Sequence, residues 1–380
     1  MSIIRQLAEL GQSIWYDNIS RSLITGGGLA KLVGEGLGGV TSNPTIFDKA
    51  ISGSTDYDEQ IQELLHADPH MTTDAVLRSL MIRDIQMAAD TLHTVYQRTG
   101  SGDGYVSVEV TPSKARDTHA TLEEVRELWA RVDRRNLMVK IPATKEGLPA
   151  IEQSISEGIN INVTLIFSVE RYREVAEAYV RGLERRATKG EPMTHIASVA
   201  SIFVSRIDTL VDGMLEKKIV ESKDPAQVAR LKVLQGKAAI ANTKMVYQAF
   251  LEIFQQRRFE SLKSLGAAVQ RPLWASTGTK NPAYHDLLYV DTLIGPHTVN
   301  TVPPATYAAI LSHSRPAHTV ESDIAGARAV LRDLASAGID MSAAMKKLED
   351  DGVAAFAKSF DEVRKNLETK RSALAVGEVR

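Results

Sequence analysis

The segment Leu137-Met138-Val139-Lys140-Ile141 sets a lysine inside an otherwise apolar run of strand-forming residues. Side chains alternate across a strand, so Lys140 shares a face with Met138, where a charged amine is costly if buried. Desolvation lowers a lysine pKa and frees the amine. A free amine is what carbonyl chemistry through a Schiff base requires. From this strand alone, an edge lysine whose head snorkels outward accounts for the pentapeptide equally well. The rest of the chain has to decide.

Seven further short runs rich in β-branched and aliphatic residues flank it, at Ser13–Ile19, Gly39–Asn43, Tyr105–Val110, Ile161–Phe167, Ile196–Ile202, Pro272–Ser276 and Thr298–Val302. Longer helical patterns separate them. Leu77, Met81, Ile85, Ala88, Leu92 and Val95 recur at steps of three and four, as do Val228, Leu231, Leu234, Ala238, Ala241 and Met245. Strands alternating with helices predict an α/β protein, and eight of them close most economically as a (β/α)8 TIM barrel of about 250 residues. The chain has 380. The surplus is assigned to helical decorations at about 49–100, 208–268 and 317–370 of a single barrel domain spanning 1–380. Phe356, Phe360, Val363 and Leu367 mark a C-terminal helix. The mixed charges from Lys346 to Arg380 predict that it is solvated and ends in a frayed tail. Segment 98–104 (RTGSGDG) reads as a helix-to-strand loop.

Composition narrows the function. With 45 Lys and Arg against 47 Asp and Glu, the net charge is −2 and no basic excess is available for a nucleic-acid backbone. The start, MSIIRQLAELGQSIWYD, holds no secretory pattern, and no run is long and apolar enough for a membrane span. The expectation is a cytoplasmic enzyme acting on small charged substrates. Zero cysteines exclude thiol catalysis, thiolate metal sites and disulfides.

Several motif matches fail on context. Gly34, Gly36 and Gly39 fit G-x-G-x-x-G, but they lead into a strand instead of following one, and read as a helix cap and loop. Thr277-Gly278-Thr279-Lys280 lacks Walker spacing. There is no H-E-x-x-H pair, and Pro69 between His66 and His70 breaks the helical face a metal site would use. No metal and no cofactor are expected. No G-x-S-x-G elbow supports a serine hydrolase.

Polar residues instead collect near the C-terminal ends of the predicted strands: Asp17, Asn43, Glu109, Lys140, Asn162, Thr164, Ser201 and Ser276. In a (β/α)8 barrel these ends converge on the active-site face. Asp17 and Glu109 are suited to proton transfer in carbon–carbon cleavage and imine formation; a hydrogen-bonded strand-end Asp and a Glu paired with a nearby Lys are the structural alternatives. Asn43, Asn162, Thr164 and Ser201 can bind sugar hydroxyls or satisfy loop backbone. Arg206, Ser276 and Lys280 would form a cationic pocket for a terminal phosphate on late-strand loops. A salt bridge from Arg206 to Asp208 or Asp212 is the competing account.

In series, GGVTSNPTIFDKAI, VSVEVTP, NLMVKIPAT, INVTLIFS, ASVASIFVSRID and LWASTGTKNP resemble the transaldolase family, in the family's order and over nearly the whole chain. The length and the WASTGTKNP form resemble its longer bacterial branch. The resemblance implies a metal-free, Schiff-base transferase of the pentose phosphate pathway. Such an enzyme moves a dihydroxyacetone unit from sedoheptulose 7-phosphate or fructose 6-phosphate to glyceraldehyde 3-phosphate or erythrose 4-phosphate. By motif match Lys140 is the Schiff-base lysine, Asp17 the acid/base for cleavage, and Glu109 the residue that acts through a water on imine formation. Asn43, Asn162, Thr164 and Ser201 match hydroxyl-binding positions, Phe203 the wall beside them, and Arg206 and Ser276 the phosphate site. Many relatives carry arginine where this chain has Gly278, and Lys280 is the expected replacement. The expected partners are sugar phosphates, with no nucleic acid and no membrane, and the chain acts as a monomer or homodimer. The rival readings are a fructose 6-phosphate aldolase-like lyase and a non-catalytic barrel that binds sugar phosphates.

Overall fold

A computed structural model of the protein describes residues 2–377. Eight parallel strands close into a barrel in sequence order: β1 Gln12–Asp17, β2 Gly39–Thr41, β3 Tyr105–Glu109, β4 Leu137–Pro142, β5 Ile161–Ile166, β6 Ser198–Phe203, β7 Arg271–Ala275 and β8 Thr298–Val302, with β8 paired back to β1. This is the (β/α)8 barrel expected from the sequence, and seventeen α-helices accompany it among the described residues. Strands covered on both faces need near-continuous apolar runs, which is why β4 and β5 are buried at every position.

Each predicted strand is present, with edges moved by a few residues. At β6 the strand starts at Ser198 instead of Ile196, because the chain turns at His195 with φ +77°. Of segment 98–104, Arg98 ends the helix Thr73–Arg98 and 99–104 form the loop to β3, and Gly36 caps the helix Gly28–Glu35 with φ +117°. Gly39 is confined by packing. A Cβ there would lie 2.6 Å from the Trp15 ring and 2.8 Å from the Tyr105 carbonyl oxygen.

The end of the barrel opposite the strand C-termini is closed by hydrogen-bonded polar groups. Asp103 accepts from Trp15 Nε1 at 2.7 Å and pairs with Arg271 at 3.3 Å, while Gln12 Nε2 donates to the Leu293 carbonyl and to Thr298 Oγ1. At the other end, β5 carries an irregularity: its register to β6 shifts between Val163 and Ile166, and Leu165 takes φ +60°. Such a bulge re-aims side chains at a barrel rim.

The C-terminal helix, Met341–Gly377, corrects one expectation. It is not a solvated appendage: Phe356, Val363 and Leu367 are buried. The helix packs on the helix Pro44–Ser52, on the turn Pro112–Lys114 and on β5, all at the barrel mouth. Charge patterning described its outer face and missed its inner one. The frayed tail expected up to Arg380 ends outside the described residues. Among the described residues no helix is long and apolar enough to cross a membrane.

Candidate active site

Lys140 lies on β4 with its side chain only 7% exposed. It does not snorkel. Its Nζ donates to the Ser42 carbonyl oxygen at 3.0 Å and stands 3.5 Å from Glu109 Oε2, an ion-pair distance too long for a good hydrogen bond. Glu109 is the register partner of Lys140 on β3, so strand pairing alone brings the amine and the carboxyl together.

Both Glu109 oxygens are buried and accept no hydrogen bond from the protein, and the Thr164 hydroxyl on β5 is likewise buried without a partner. Burial therefore pushes the Glu109 pKa up to about 7, against the opposing pull of Lys140. Asp17, at the end of β1, is also raised by burial, and Lys140, the Thr41 hydroxyl and Lys280 each offset part of the rise. Thr41 Oγ1 donates to Asp17 Oδ1 at 2.6 Å and lies 2.6 Å from Thr301 Oγ1. Two carboxyls with raised pKa values near one buried amine are an arrangement able to move protons.

A cavity of about 690 Å³ opens over this group, lined by Asp17, Asn43, Lys140, Asn162, Thr164, Ser201, Phe203, Arg206, Ser276 and Lys280. Glu109 sits beside Lys140 without forming part of that lining. The volume suits a small polar substrate. Asn162 is tied into the wall, accepting from Ser201 Oγ at 2.7 Å and donating to Ser107 Oγ at 3.1 Å. Asn43 caps the helix Pro44–Ser52 through its Oδ1, which accepts from the Ile46 N–H at 3.0 Å.

Arg206 follows β6 at the start of the helix Ser205–Glu221 and is half-buried. Among the described residues no carboxylate pairs with it. Asp208 and Asp212, the competing partners, are two and six positions along the helix and face elsewhere. Asp208 accepts from Tyr289 and from the Ala239 N–H, with its pKa raised to about 6 by burial, and Asp212 accepts from Tyr284 and from the Gly236 N–H. The guanidinium lies 5.1 Å from the Phe203 ring centroid instead. Burial lowers its pKa, but an arginine stays charged, so a half-buried cation faces the cavity. Ser276, strained at φ +55°, is held by Ser205, whose Oγ is 2.9 Å from its own and whose N–H donates to its carbonyl oxygen at 3.1 Å. Lys280 is exposed at the rim.

Sequence reasoning missed Ser42, Thr41, Thr301 and Phe356. The first two stand in GGVTSNPTIFDKAI beside residues already singled out. Phe356 carried no such signal, since its place in the cavity depends on a contact from the far end of the chain. His285, Asp286 and His313 place three potential ligand atoms within 4.8 Å of one another. All three are exposed, and none lines the cavity.

Fold and cavity define the class: a (β/α)8-barrel enzyme with room for a small polar substrate above its strand ends. Residues 14–367 match the family model described as transaldolase/fructose-6-phosphate aldolase. Similar curated proteins include a transaldolase of Trichodesmium erythraeum, 45% identical over 96% of each chain, and one of Saccharopolyspora erythraea, 47% identical over 98% of each. A transaldolase of Thermobifida fusca is 46% identical over 95% of this chain and 96% of its own. The chain belongs to the transaldolase/fructose-6-phosphate aldolase family.

Proposed function

We propose that this enzyme is a transaldolase, moving a three-carbon dihydroxyacetone unit from a ketose phosphate to an aldose phosphate through a Schiff base on Lys140. The observation that carries this reading is the enclosed Lys140 amine, 3.5 Å from Glu109, at the base of a cavity that Asp17 also lines.

The unprotonated amine attacks the C2 carbonyl of sedoheptulose 7-phosphate or fructose 6-phosphate. Glu109, with a pKa near 7, relays the proton released at nitrogen to the new alkoxide, giving the carbinolamine, and in its acid form then supplies, through a water, the second proton with which the hydroxyl leaves as water; hydrolysis of the final iminium returns that proton. The resulting iminium is an electron sink. Asp17 removes the C4 hydroxyl proton, the C3–C4 bond breaks, and its electron pair flows to the iminium nitrogen to give an enamine on Lys140. The shortened aldose phosphate leaves, and the enamine carbon attacks the incoming aldehyde. Asp17 returns its proton to the new hydroxyl, and hydrolysis frees the product. Asn43, Asn162, Thr164 and Ser201 hold sugar hydroxyls beside the Phe203 wall, and Arg206, Ser276 and Lys280 hold the terminal phosphate. Charge-assisted bonds from Arg206 suit a phosphate dianion.

This reading places the enzyme in the non-oxidative pentose phosphate pathway, in the cytoplasm where its phosphorylated substrates are kept. Product analysis tests it. From fructose 6-phosphate and erythrose 4-phosphate, formation of sedoheptulose 7-phosphate together with glyceraldehyde 3-phosphate is the expected outcome. Free dihydroxyacetone as the main product would make the enzyme a lyase, and no turnover would leave a sugar-phosphate binder.

A further inference from the structure

One face of the helix Met341–Gly377 runs through Gly352, Phe356, Ser359, Val363, Asn366 and Lys370, at alternating steps of four and three. Its contacts fasten it across the mouth. Gly352 meets the bulge of β5, where a Cβ would lie 3.0 Å from Leu165 Cδ2. Ser359 Oγ accepts from Thr45 Oγ1 at 3.0 Å, Asn366 donates to Asp48 at 2.8 Å, and Lys370 pairs with Asp58 at 2.6 Å. Phe356 stands between these anchors, 8% exposed and in the lining of the cavity. Its ring centroid is 6.0 Å from Lys140 Nζ and 6.4 Å from the Phe203 ring, which in turn lies 5.6 Å from Phe167.

The enamine on Lys140 has two fates. Its nucleophilic carbon can bond to the acceptor aldehyde, which is transfer. It can instead take a proton from water to give an iminium; a second water then adds at C2, the C–N bond breaks, and free dihydroxyacetone leaves with the amine restored. The second route needs water at the enamine. A hydrocarbon ring offers that water neither a hydrogen bond nor room.

We propose that Phe356 is a specificity-determining residue, an apolar cap delivered by the C-terminal helix that keeps water from the enamine on Lys140 and so favours transfer over release. The assignment rests on the Schiff-base reading above. The bulge at Leu165 and the glycine at 352 set the height at which the helix seats, and hence how closely the ring covers the amine.

The test compares wild type with full-length Phe356→Ala and Phe356→Leu. Free dihydroxyacetone and sedoheptulose 7-phosphate are measured from fructose 6-phosphate and erythrose 4-phosphate, alongside a thermal melt and borohydride trapping. The expected result is a release-to-transfer ratio at least tenfold higher in Phe356→Ala and raised less in Phe356→Leu, with the trapped adduct retained. A ratio within twofold of wild type in a folded Phe356→Ala overturns the proposal. If that variant does not fold, the near-isosteric Phe356→Leu decides on the same criterion, any ratio within its measurement error of wild type overturning it. No adduct in wild type would instead sink the Schiff-base reading itself.

Discussion

Glu109 and Lys140 are register partners on adjacent strands, and their side chains meet inside the barrel with Oε2 and Nζ 3.5 Å apart. The pairing is set by backbone hydrogen bonding, so its geometry does not depend on a loop. Burial holds the Glu109 pKa near 7, which keeps the carboxyl able both to take and to give a proton at neutral pH. In the proposed mechanism the base form accepts the proton from nitrogen, and that form is lost as the pH falls through about 7. Schiff-base formation with fructose 6-phosphate should therefore slow on the acid side with an inflection near pH 7. Glu109→Gln should be slower throughout and lack that inflection. Stopped-flow rates across pH 5.5–9, roughly the span over which such a group titrates, check this. An unchanged inflection in Glu109→Gln would assign it to another group.

Asp17 lines the same cavity as Lys140 and is the residue proposed for the cleavage step. Replacing it by Asn keeps the polar shape but would remove the base proposed for the C4 hydroxyl, which should lower turnover by roughly 10²–10⁴. Schiff-base formation should survive. Borohydride should then trap a hexose phosphate on Lys140, and mass spectrometry distinguishes it from the three-carbon adduct of the wild type. A three-carbon adduct in Asp17→Asn would move the cleavage role to another residue.

At the outer end of the cavity, Arg206 is half-buried and has no carboxylate partner among the described residues, whereas Lys280 is exposed. A charge-assisted hydrogen bond contributes about 1.5–3 kcal/mol, so Arg206→Ala should raise KM for phosphorylated donors roughly ten- to a hundredfold, with a smaller effect on kcat. Lys280→Ala should raise it only a few-fold, because solvent screens an exposed charge. Steady-state kinetics with fructose 6-phosphate and with fructose separate the cases. Equal turnover of the two sugars by the wild type would remove the need for a phosphate pocket.

Gly39 is a packing constraint at the start of β2. An added Cβ would meet the Trp15 ring at 2.6 Å and the Tyr105 carbonyl oxygen at 2.8 Å, and neither can retreat from a closed barrel. Gly39→Ala should cost ~1–3 kcal/mol, the usual price of overpacking. Thermal unfolding should show a melting temperature several degrees below wild type. No change would mean that β2 shifts freely against its neighbours.

The strands were legible because buried parallel strands write apolar, β-branched runs into the sequence, and in β4 the single polar interruption is Lys140. Helical periodicity likewise exposed the apolar face at Phe356, Val363 and Leu367. What periodicity leaves out is the surface that a face covers. The C-terminal helix reaches Thr45, Asp48 and Asp58 across some three hundred positions of chain, so only the folded chain brings Phe356 to the cavity. The competition for Arg206 was equally out of reach. Only three dimensions show Tyr289 and Tyr284 bonded to Asp208 and Asp212, leaving the guanidinium to the cavity.

The central claim is that the Lys140 amine becomes bonded to the sugar. Wild-type enzyme treated with fructose 6-phosphate and borohydride, digested and sequenced by mass spectrometry, should carry a dihydroxyacetone-sized addition on Lys140, absent from Lys140→Ala and from samples without sugar. Full turnover with no addition at that residue, or the same addition on a different lysine, would contradict the account.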